Sequence, residues 1–518
     1  MFEANYPVLS VLIFFPLLAC LGVVLLRNPR IVRWYTLIVT LVELGLALPL
    51  LNFATDTSTF QFVEQKTWVK TWGLNYFVGI DGISLLMVAL TVAIMPLCVL
   101  CSWKYIDKRI KEFHFCLLFM TSACLGVFTA LDFVLFYVFW EAMLVPMYLL
   151  IAVWGGPERR YASIKFFLYT LAGSTLLLVA LIGFRYVGGS FSIPDLMTRE
   201  YGFGFQCWTF WFMALAFAIK VPMFPFHTWL PAAHVQAPTA GSVILASILL
   251  KMGTYGFLRF ALPLTPDAAV HFAPLMIAFS IASIIYGGAV ALGQSDIKKI
   301  IAYSSVGHMG FVTLGIFLFN LRGLEGAVFQ MLNHGITTGA LFMMVGAVYE
   351  RSHSREVKDN LGMGKYLPAF MGFWGLFAFS SFGFPGTNSF VGELLVFLGA
   401  FQIKTWIGLA IVPGALLAAA YMLRLTQKMA WGAPASPKGW PDLNLREWAY
   451  LVPVAFFVLY IGLAPRVFFN AMDPTLEHLS RRVSESQMIT AHSDQIPAMP
   501  ATEDILNQAL IMHTQAGE

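Results

Sequence analysis

Long apolar runs, each ended by a short polar stretch, follow one another along the chain from near Val8 to Phe469. A helix needs about 20 apolar residues to cross a bilayer. The runs are continuous rather than alternating, which excludes a membrane-spanning β-barrel. Backbone groups in lipid must also be satisfied within their own segment, which excludes an open sheet. The pattern therefore predicts an all-α polytopic membrane protein.

Division of the chain at its polar interruptions predicts about fourteen transmembrane helices, called segments 1 to 14 in chain order. Their centres lie near Ala19, Leu41, Thr91, Ala123, Met143, Leu176, Phe217, Leu250, Ile281, Gly310, Leu341, Ser381, Gly414 and Val458.

Segments 7 and 12 are interrupted within their apolar runs. In segment 7, Pro222 and Pro225 follow Lys220, and in segment 12 the Pro385-Gly386 pair precedes Glu393. Proline removes a backbone donor and clashes with the preceding turn, so a helix opens at such positions. We therefore expect two broken helices, although a proline that merely kinks a packed helix is the alternative for each break.

The two breaks lie five segments apart, and an odd offset places the two surrounding units in opposite orientations. Transporters built from such inverted repeats bind ions near the membrane midplane, where discontinuous helices meet. Segments 4–8 and 9–13 are the predicted five-helix repeats. The predicted division is an N-terminal three-helix segment at 1–110, the first repeat at 111–262, the second at 263–432, a final helix at 433–472 and an exposed polar C-terminal tail at 473–518.

Composition supports a membrane location. The 518 residues are 58% hydrophobic and only 12% charged, and the mean hydropathy is +0.74, which no soluble domain reaches. The net charge of +4 reflects the loops and does not indicate nucleic-acid binding.

Lysine and arginine are concentrated in the odd-numbered connections between segments, for example Arg424, Lys428, Lys438 and Arg446 in the thirteenth. Short cytoplasmic loops carry such an excess. We therefore expect a multi-pass protein of the bacterial inner membrane with both termini on the periplasmic side.

Ionisable side chains stand inside several of the apolar segments. Glu141, Lys220 and Lys251 lie near the middle of segments 5, 7 and 8, and Glu393 follows the break in segment 12. A charge at bilayer depth costs several kcal/mol, so these residues normally face a protein interior or a water-filled path. The pattern indicates charge movement through the membrane.

A carboxylate and an ammonium group in this setting can form a proton switch. Glu141 and Lys220 offset each other's desolvation only when they are close, so separating them changes the proton affinity of the lysine. Lys251, on the next segment, is the next group expected to accept the proton.

Two histidines extend this path, because histidine titrates near neutral pH. His308 and His334 lie in segments 10 and 11, and the predicted water-supported order is Lys220, Lys251, His308, His334, Glu393. The alternative for each histidine is a hydrogen-bonded core residue. His227 and His234 flank the seventh connection, where they form its cytoplasmic mouth or are solvated loop residues. Glu43, in segment 2, is a buried acid that is expected to pair at a subunit contact.

No cofactor site is predicted in this chain. Six cysteines are scattered mainly through apolar helix, and the Cys98-x-x-Cys101 spacing lacks the further histidine or cysteine that a metal site needs. Helix packing is the favoured interpretation of this pair. A glycine-rich phosphate loop and an iron–sulfur cysteine run are also missing from the sequence.

Three sequence stretches carry a family resemblance. The run Phe136–Met147 around Glu141, the Trp154-Gly155-Gly156 motif and the run Lys220–His234 resemble the antiporter-like membrane-arm subunits of NADH–quinone oxidoreductase, respiratory complex I. The resemblance extends over essentially the whole chain. It is strongest to the M type, the counterpart of mitochondrial subunit 4, because Glu393 stands where the sister L and N types carry lysine.

The resemblance implies a proton-translocating subunit that lies in lipid between L-type and N-type neighbours. It implies that Glu141 and Lys220 are an ion pair, that Lys251 connects the two halves, that His308 and His334 bridge them, and that Glu393 is the output site. It also implies that NADH, FMN, iron–sulfur clusters and quinone are bound by partner subunits that include the peripheral redox arm.

Related complexes leave alternatives open. Subunits of multi-component sodium–proton antiporters and of membrane-bound hydrogenases would use the same lysines. A stand-alone secondary transporter would be expected to show solute-specific side chains in a cavity, whereas only proton-relay residues are visible here. A purely structural membrane scaffold does not explain two buried lysines.

Overall fold

The computed structural model describes residues 6–433 and 439–493, with side chains described up to residue 486. Lys438 and the tail residues 494–518 lie outside this part of the chain. Thirteen of the described helices are long and apolar enough to cross a membrane. Two shorter helices form the remaining segment.

All fourteen predicted segments are present as helices, and each contains its predicted centre. Segments 1 to 11 are Val8–Leu25, Pro29–Asn52, Gly82–Ser102, Ile110–Thr129, Phe133–Trp154, Arg159–Gly188, Phe203–Lys220, Thr239–Leu264, Pro266–Leu292, Ile297–Phe317 and Leu321–Ser352. Segment 12 comprises Pro368–Ser381 and Asn388–Ile403, and segments 13 and 14 are Thr405–Trp431 and Leu445–Leu463.

Both predicted helix breaks are confirmed. Segment 7 ends at Lys220 and the chain resumes a helix only at Trp229–Gln236, while segment 12 opens between Ser381 and Asn388. Segment 6 packs against segment 7, and segment 11 packs against segment 12, as the five-segment offset of an inverted repeat requires. The exact repeat boundaries and the membrane orientation stay predictions.

The core of the bundle is formed by segments 8, 10 and 11, whose side chains are almost completely buried. Segments 1, 2, 6, 13 and 14 surround them and expose large apolar side chains such as Leu18, Trp34, Leu168, Leu416 and Phe456. These outward faces suit lipid or neighbouring apolar helices. The three central helices carry three of the six predicted site residues, Lys251, His308 and His334.

A β-hairpin connects segments 2 and 3 and was not predicted. Strands β1, Gln61–Val69, and β2, Leu74–Ile80, pair in antiparallel register with Thr67 opposite Asn75. Gly73, at the turn, has a φ of +71°, a conformation that glycine adopts without a steric penalty. The hairpin lies in a connection, so the exclusion of a membrane-spanning sheet is unaffected.

The predicted exposed tail is wrong for its first part. Residues beyond 473 continue a helix, Arg466–Ser493, in which Met472, Leu476, Leu479 and Val483 are buried. This C-terminal helix packs on segments 3, 9 and 11. Its apolar positions recur at helical spacing, which is the signal that the polar composition of the tail obscured.

Asp473 lies on this C-terminal helix beside other acids. Burial, together with the charges of Glu325 and Glu477, raises the pKa of Asp473 to about 6, although Arg322 opposes the shift. The carboxyl group therefore titrates near pH 6, in mildly acidic solution.

Candidate functional site

Lys251 is held at the centre of the bundle by an irregular helix. Two π-helical stretches, Leu245–Leu249 and Phe257–Ala261, flank it within segment 8. Such wide turns release main-chain carbonyls and occur frequently at functional sites. The Lys251 ammonium donates a hydrogen bond to one such carbonyl, that of Ala246, and the side chain is fully buried.

The second contact of Lys251 crosses to segment 11. Its Nζ atom lies 2.7 Å from Nδ1 of His334, to which it donates. The other ring nitrogen of His334, Nε2, is buried and has no hydrogen-bond partner in the described part of the chain. His334 therefore accepts from the lysine on one side of its ring and presents a free nitrogen on the other.

Glu393 binds the second histidine. His308 Nδ1 lies 3.0 Å from Glu393 Oε1, and Gln330 Nε2 donates to the same oxygen at 3.2 Å. Gly383, in the break of segment 12, has a φ of +72°, and a Cβ atom there would lie 2.8 Å from Glu393 Oε2. The break thus leaves room for the carboxylate as well as opening the helix.

The order of the two histidines differs from the predicted one. Lys251 contacts His334, the rings of His334 and His308 lie 6.0 Å apart between centroids, and His308 contacts Glu393. The prediction that His308 precedes His334 is wrong, because segment 11 lies between segments 8 and 10 at this depth. Sequence order along the chain did not reveal this spatial order.

Tyr421 completes the surroundings of His308. Its hydroxyl lies 3.3 Å from His308 Nε2, and the side chain is buried on segment 13. With Nδ1 donating to Glu393, the neutral ring accepts from Tyr421 through Nε2. Sequence reasoning missed Tyr421, since a tyrosine in an apolar helix is no signal by itself.

Amide side chains fix the second half of the broken segment 12. Asn333 Nδ2 donates to the Asn388 carbonyl at 2.8 Å, and Thr337 Oγ1 lies 3.2 Å from Asn388 Oδ1. Ser380 also donates to Asn388 Oδ1. These bonds tie the start of the Asn388–Ile403 helix to segment 11 and, through Ser380, to the first half of segment 12, and so position Glu393.

Lys220 ends its helix in an aromatic pocket. Its Nζ lies 3.4 Å from Met143 Sδ, 5.0 Å from the centroid of Trp140 and 6.0 Å from that of Phe166. Aromatic faces attract a desolvated ammonium by about 2 kcal/mol. The predicted burial of Lys220 is confirmed.

Glu141 does not contact Lys220 in this structure. None of the ion pairs among the described residues involves either side chain. Glu141 is half-buried rather than buried, although its Oε1 atom is enclosed and unpartnered in this part of the chain. The two side chains therefore make no direct ion pair, although the charge of Glu141 still acts on Lys220, and the role of the pair as a switch stays a prediction.

A buried ion pair that the sequence analysis missed joins segments 3 and 8. Arg259 Nη2 lies 2.6 Å from Asp81 Oδ2, with both side chains almost fully buried. Tyr255 and Ser84 bind the same guanidinium. Arg259 interrupts an apolar run just as Lys251 does, so the same test for charges within segments would have found it.

Lys298 is a further buried cation, which the sequence analysis did not single out. It lies in the first turn of segment 10 and is only 6% exposed. His227 and His234 are also buried, so the alternative that they are solvated loop residues is wrong.

Glu43 is buried as expected. Within the described residues, neither of its carboxylate oxygens has a hydrogen-bond partner. Its predicted pairing at a subunit contact stays a prediction.

No metal-binding cluster of histidine, cysteine or acidic residues occurs in the part of the chain that the structure describes. All six cysteines are unpaired, and Cys98 and Cys101 are buried in segment 3. Cys101 Sγ contacts the Cys98 carbonyl of its own helix at 3.4 Å. This arrangement agrees with the packing interpretation of the pair.

Two family profiles match the sequence. The one described as NADH:quinone oxidoreductase/Mrp antiporter, TM, covers residues 130–418. The one described as NADH-ubiquinone oxidoreductase chain 4, amino terminus, covers residues 11–128. Together they span nearly all of segments 1 to 13.

Individual relatives agree with the profiles. NADH-quinone oxidoreductase subunit M from Rhodobacter capsulatus is 43% identical over 493 residues, covering 91% of this chain and 96% of the relative. A chain of respiratory complex I from Thermus thermophilus with bound NADH superimposes with a TM-score of 0.85 at 29% identity, over 92% of this chain and 99% of that one. A chain of the Mrp complex from Dietzia sp. gives 0.83 at 20% identity, over 92% and 99%, and so shares the fold.

Proposed function

Because the chain belongs to the NADH-quinone oxidoreductase subunit M family, with which it aligns over nine-tenths of its length, we propose that it is a proton-translocating subunit of that enzyme's membrane arm. NADH oxidation and quinone reduction, in this proposal, drive protons through its buried residues. The chain itself contributes the translocase step and no redox step.

The observation that carries the proposal is the line of buried polar side chains across the centre of the bundle. Lys251 bonds to His334 at 2.7 Å, and His308 bonds to Glu393 at 3.0 Å. Each of these side chains costs free energy to bury in a membrane protein. Their alignment from one repeat to the other is what proton transfer between two half-channels requires, with Lys220 and Glu141 at the input end and Glu393 at the output end.

Partners follow from the same proposal. L-type and N-type subunits would cover the outward apolar faces, and the half-exposed Glu141 would lie against one of them. NADH, FMN, the iron–sulfur clusters and quinone would be bound elsewhere in the complex, chiefly by the peripheral arm. Membrane lipid would cover the faces that remain.

The energy for transport must come from those partners. Moving one charge against the membrane potential costs about 2.3 kcal/mol per 100 mV. Nothing in a relay of hydrogen bonds supplies this energy, so electron transfer has to bias the states of the relay. We place the chain in the bacterial inner membrane with its odd-numbered connections, which carry most of the lysine and arginine, on the cytoplasmic side.

The test is the substitution Lys251→Met in the complete enzyme. Methionine keeps most of the unbranched side chain and removes the proton site, so proton pumping per NADH should fall in inverted membrane vesicles. NADH oxidation by an artificial acceptor should persist, because it needs only the peripheral arm. Lys404→Met, at an exposed lysine, is the matched control. Normal pumping by Lys251→Met would refute the proposal.

Purification tests the assignment to this complex against its relatives. Recovery of the tagged chain together with flavin and iron–sulfur subunits supports the oxidoreductase. Recovery with only antiporter subunits, or with a nickel–iron hydrogenase, would assign the same relay to another complex.

A further inference from the structure

A buried polar cluster lies between Lys251 and the membrane side of the even-numbered connections. Its centre is Arg259, which stands near the end of segment 8 at Leu264, close to the eighth connection. Asp81, which pairs with Arg259, directly precedes segment 3 and ends the second connection. Both residues therefore belong to the side of the bundle opposite to the seventh connection.

Tyr255 joins this cluster to the central lysine. Leu250–Gly256 is α-helical, so side chains four residues apart lie on one face with roughly 5–6 Å between their Cβ atoms. Tyr255 stands one turn beyond Lys251, and Arg259 Nε donates to the Tyr255 hydroxyl at 3.1 Å. All three side chains are buried. A line of polar groups thus follows segment 8 from Lys251 towards the even-numbered side.

The line comes close to the protein surface at Phe60. The central guanidinium carbon of Arg259 lies 5.0 Å from the ring centroid of Phe60 and 5.2 Å from that of Tyr255. Phe60 belongs to the second connection and is only half-buried. One partly exposed aromatic ring therefore covers the guanidinium on this side.

The hydrogen bonds of the cluster end at groups that do not pass a proton on. The Tyr255 hydroxyl donates to the Phe128 carbonyl at 3.2 Å, and a main-chain carbonyl only accepts. Arg259 Nη2 lies 2.6 Å from Asp81 Oδ2 and donates to Ser84 Oγ at 3.3 Å, but a guanidinium is not deprotonated in proteins. The polar groups are continuous, yet a proton cannot hop along them.

Asp81 is the one acid in this line, and both of its oxygens are occupied. Oδ1 accepts from the Ser84 main-chain nitrogen at 3.0 Å, and Oδ2 accepts from Arg259. A proton or a water molecule that arrives from the surface must displace one of these bonds. The fixed guanidinium also opposes the entry of a second positive charge.

We propose that Arg259 and Asp81 form a proton seal, which prevents Lys251 from exchanging protons with the compartment on the even-numbered side. The pair carries no proton during turnover and acts by excluding water from the line between Lys251 and Phe60. This inference rests on the proposed function, because a seal is needed only if Lys251 takes up and releases protons. A pair that merely held segments 3 and 8 together could be replaced by uncharged side chains without a leak.

The double variant Arg259→Met/Asp81→Asn in the complete enzyme tests the seal. It removes both charges together, so neither is left buried and unpaired. Water that enters the wild-type line must displace a hydrogen bond to a charged group, which lowers its occupancy roughly 10- to 150-fold. The pH gradient across inverted vesicles of the variant should therefore collapse at least about tenfold faster once NADH is exhausted. Lys66→Met, at an exposed lysine of the hairpin, is the control and should match the wild type.

Adding Lys251→Met to the double variant tests the route of the leak. If protons cross by way of Lys251, the triple variant should hold the gradient like the Lys66→Met control. A leak that persists in the triple variant, or a double variant that holds the gradient, would refute the seal and leave the relay standing. Normal pumping by Lys251→Met alone would instead refute the proposed function.

Arg259→Lys decides if the double variant fails to assemble, as judged by copurification. An ammonium can pair with Asp81 but, unlike a guanidinium, can also release its proton when buried. The gradient should then again decay faster than in Lys66→Met vesicles. Equal decay in the two variants would contradict the seal.

Discussion

The substitution Gly383→Ala tests the contact between Glu393 and His308 directly, because one added methyl group should displace the Glu393 carboxylate from His308. The glycine has a φ of +72°, and its added Cβ would lie 2.8 Å from Glu393 Oε2. The carboxylate must therefore move in Gly383→Ala. The other oxygen, Oε1, moves with it, so we expect the 3.0 Å bond from His308 and the 3.2 Å bond from Gln330 to weaken.

The expected magnitude has two parts. A non-glycine residue in a left-handed conformation costs about 1–2 kcal/mol. Complete loss of a hydrogen bond to a charged group would cost a further ~1.5–3 kcal/mol, which is the upper bound for this displacement. Gly386 is a matched control, since it has a φ of +91° and its Cβ would meet no atom within 4 Å. Gly386→Ala should therefore show the backbone strain alone.

The assay compares proton pumping per NADH for the two variants in inverted vesicles, normalised to the amount of assembled enzyme. At this upper bound, the difference of ~1.5–3 kcal/mol corresponds to a roughly 10- to 150-fold smaller population of the closed His308–Glu393 contact. Gly383→Ala should therefore pump far less than Gly386→Ala. Equal pumping by the two variants would refute the role assigned to this contact.

Three further predictions concern other parts of the molecule. The pKa of Asp473 is raised to about 6, so the folded state favours the protonated carboxyl group. The C-terminal helix should therefore lose about 1 kcal/mol of stability as pH rises from 4 to beyond 6. Hydrogen exchange of residues 466–493 should show this loss, and Asp473→Asn should abolish it. Arg259→Met should cost about 3–5 kcal/mol by leaving Asp81 buried and unpaired, so thermal stability should be partly restored by adding Asp81→Asn; no restoration would contradict the pairing. Tyr421→Phe should slow pumping roughly fivefold through loss of about 1 kcal/mol at His308, and an unchanged rate would exclude a positioning role for the hydroxyl.

Local chemistry explains which parts of the fold were predictable. The lengths of the apolar runs predicted the fourteen segments, and the prolines after Lys220 and before Glu393 marked both breaks. Both signals are clear because backbone groups in lipid must be hydrogen-bonded within the protein, which leaves few structures other than a helix. The C-terminal helix was missed since its polar face dominates the composition from Asp473 onward. The hairpin was missed because a short strand pair in a connection has no comparable constraint.

The candidate site was predictable in its members but not in its geometry. Charges inside apolar runs identify Lys251 and Glu393 at once, and the same rule would have identified Arg259. By contrast, the order of His334 and His308, the hydroxyl of Tyr421 and the position of Glu141 depend on how helices far apart in sequence pack. Spacing along one helix contains no information about these contacts.

The two bonds of His308 have a further consequence for the timing of transfer. Nδ1 is engaged by Glu393 and Nε2 by Tyr421, so neither nitrogen is available to His334 in this state. In the proposed relay, a proton on the free nitrogen of His334 can pass to His308 only after the His308 ring releases one of these two partners. Freeing Nε2 would break the bond to Tyr421, and freeing Nδ1 would break the bond to Glu393, so in the proposed relay His308 cannot receive a proton from His334 while it keeps both of its present partners.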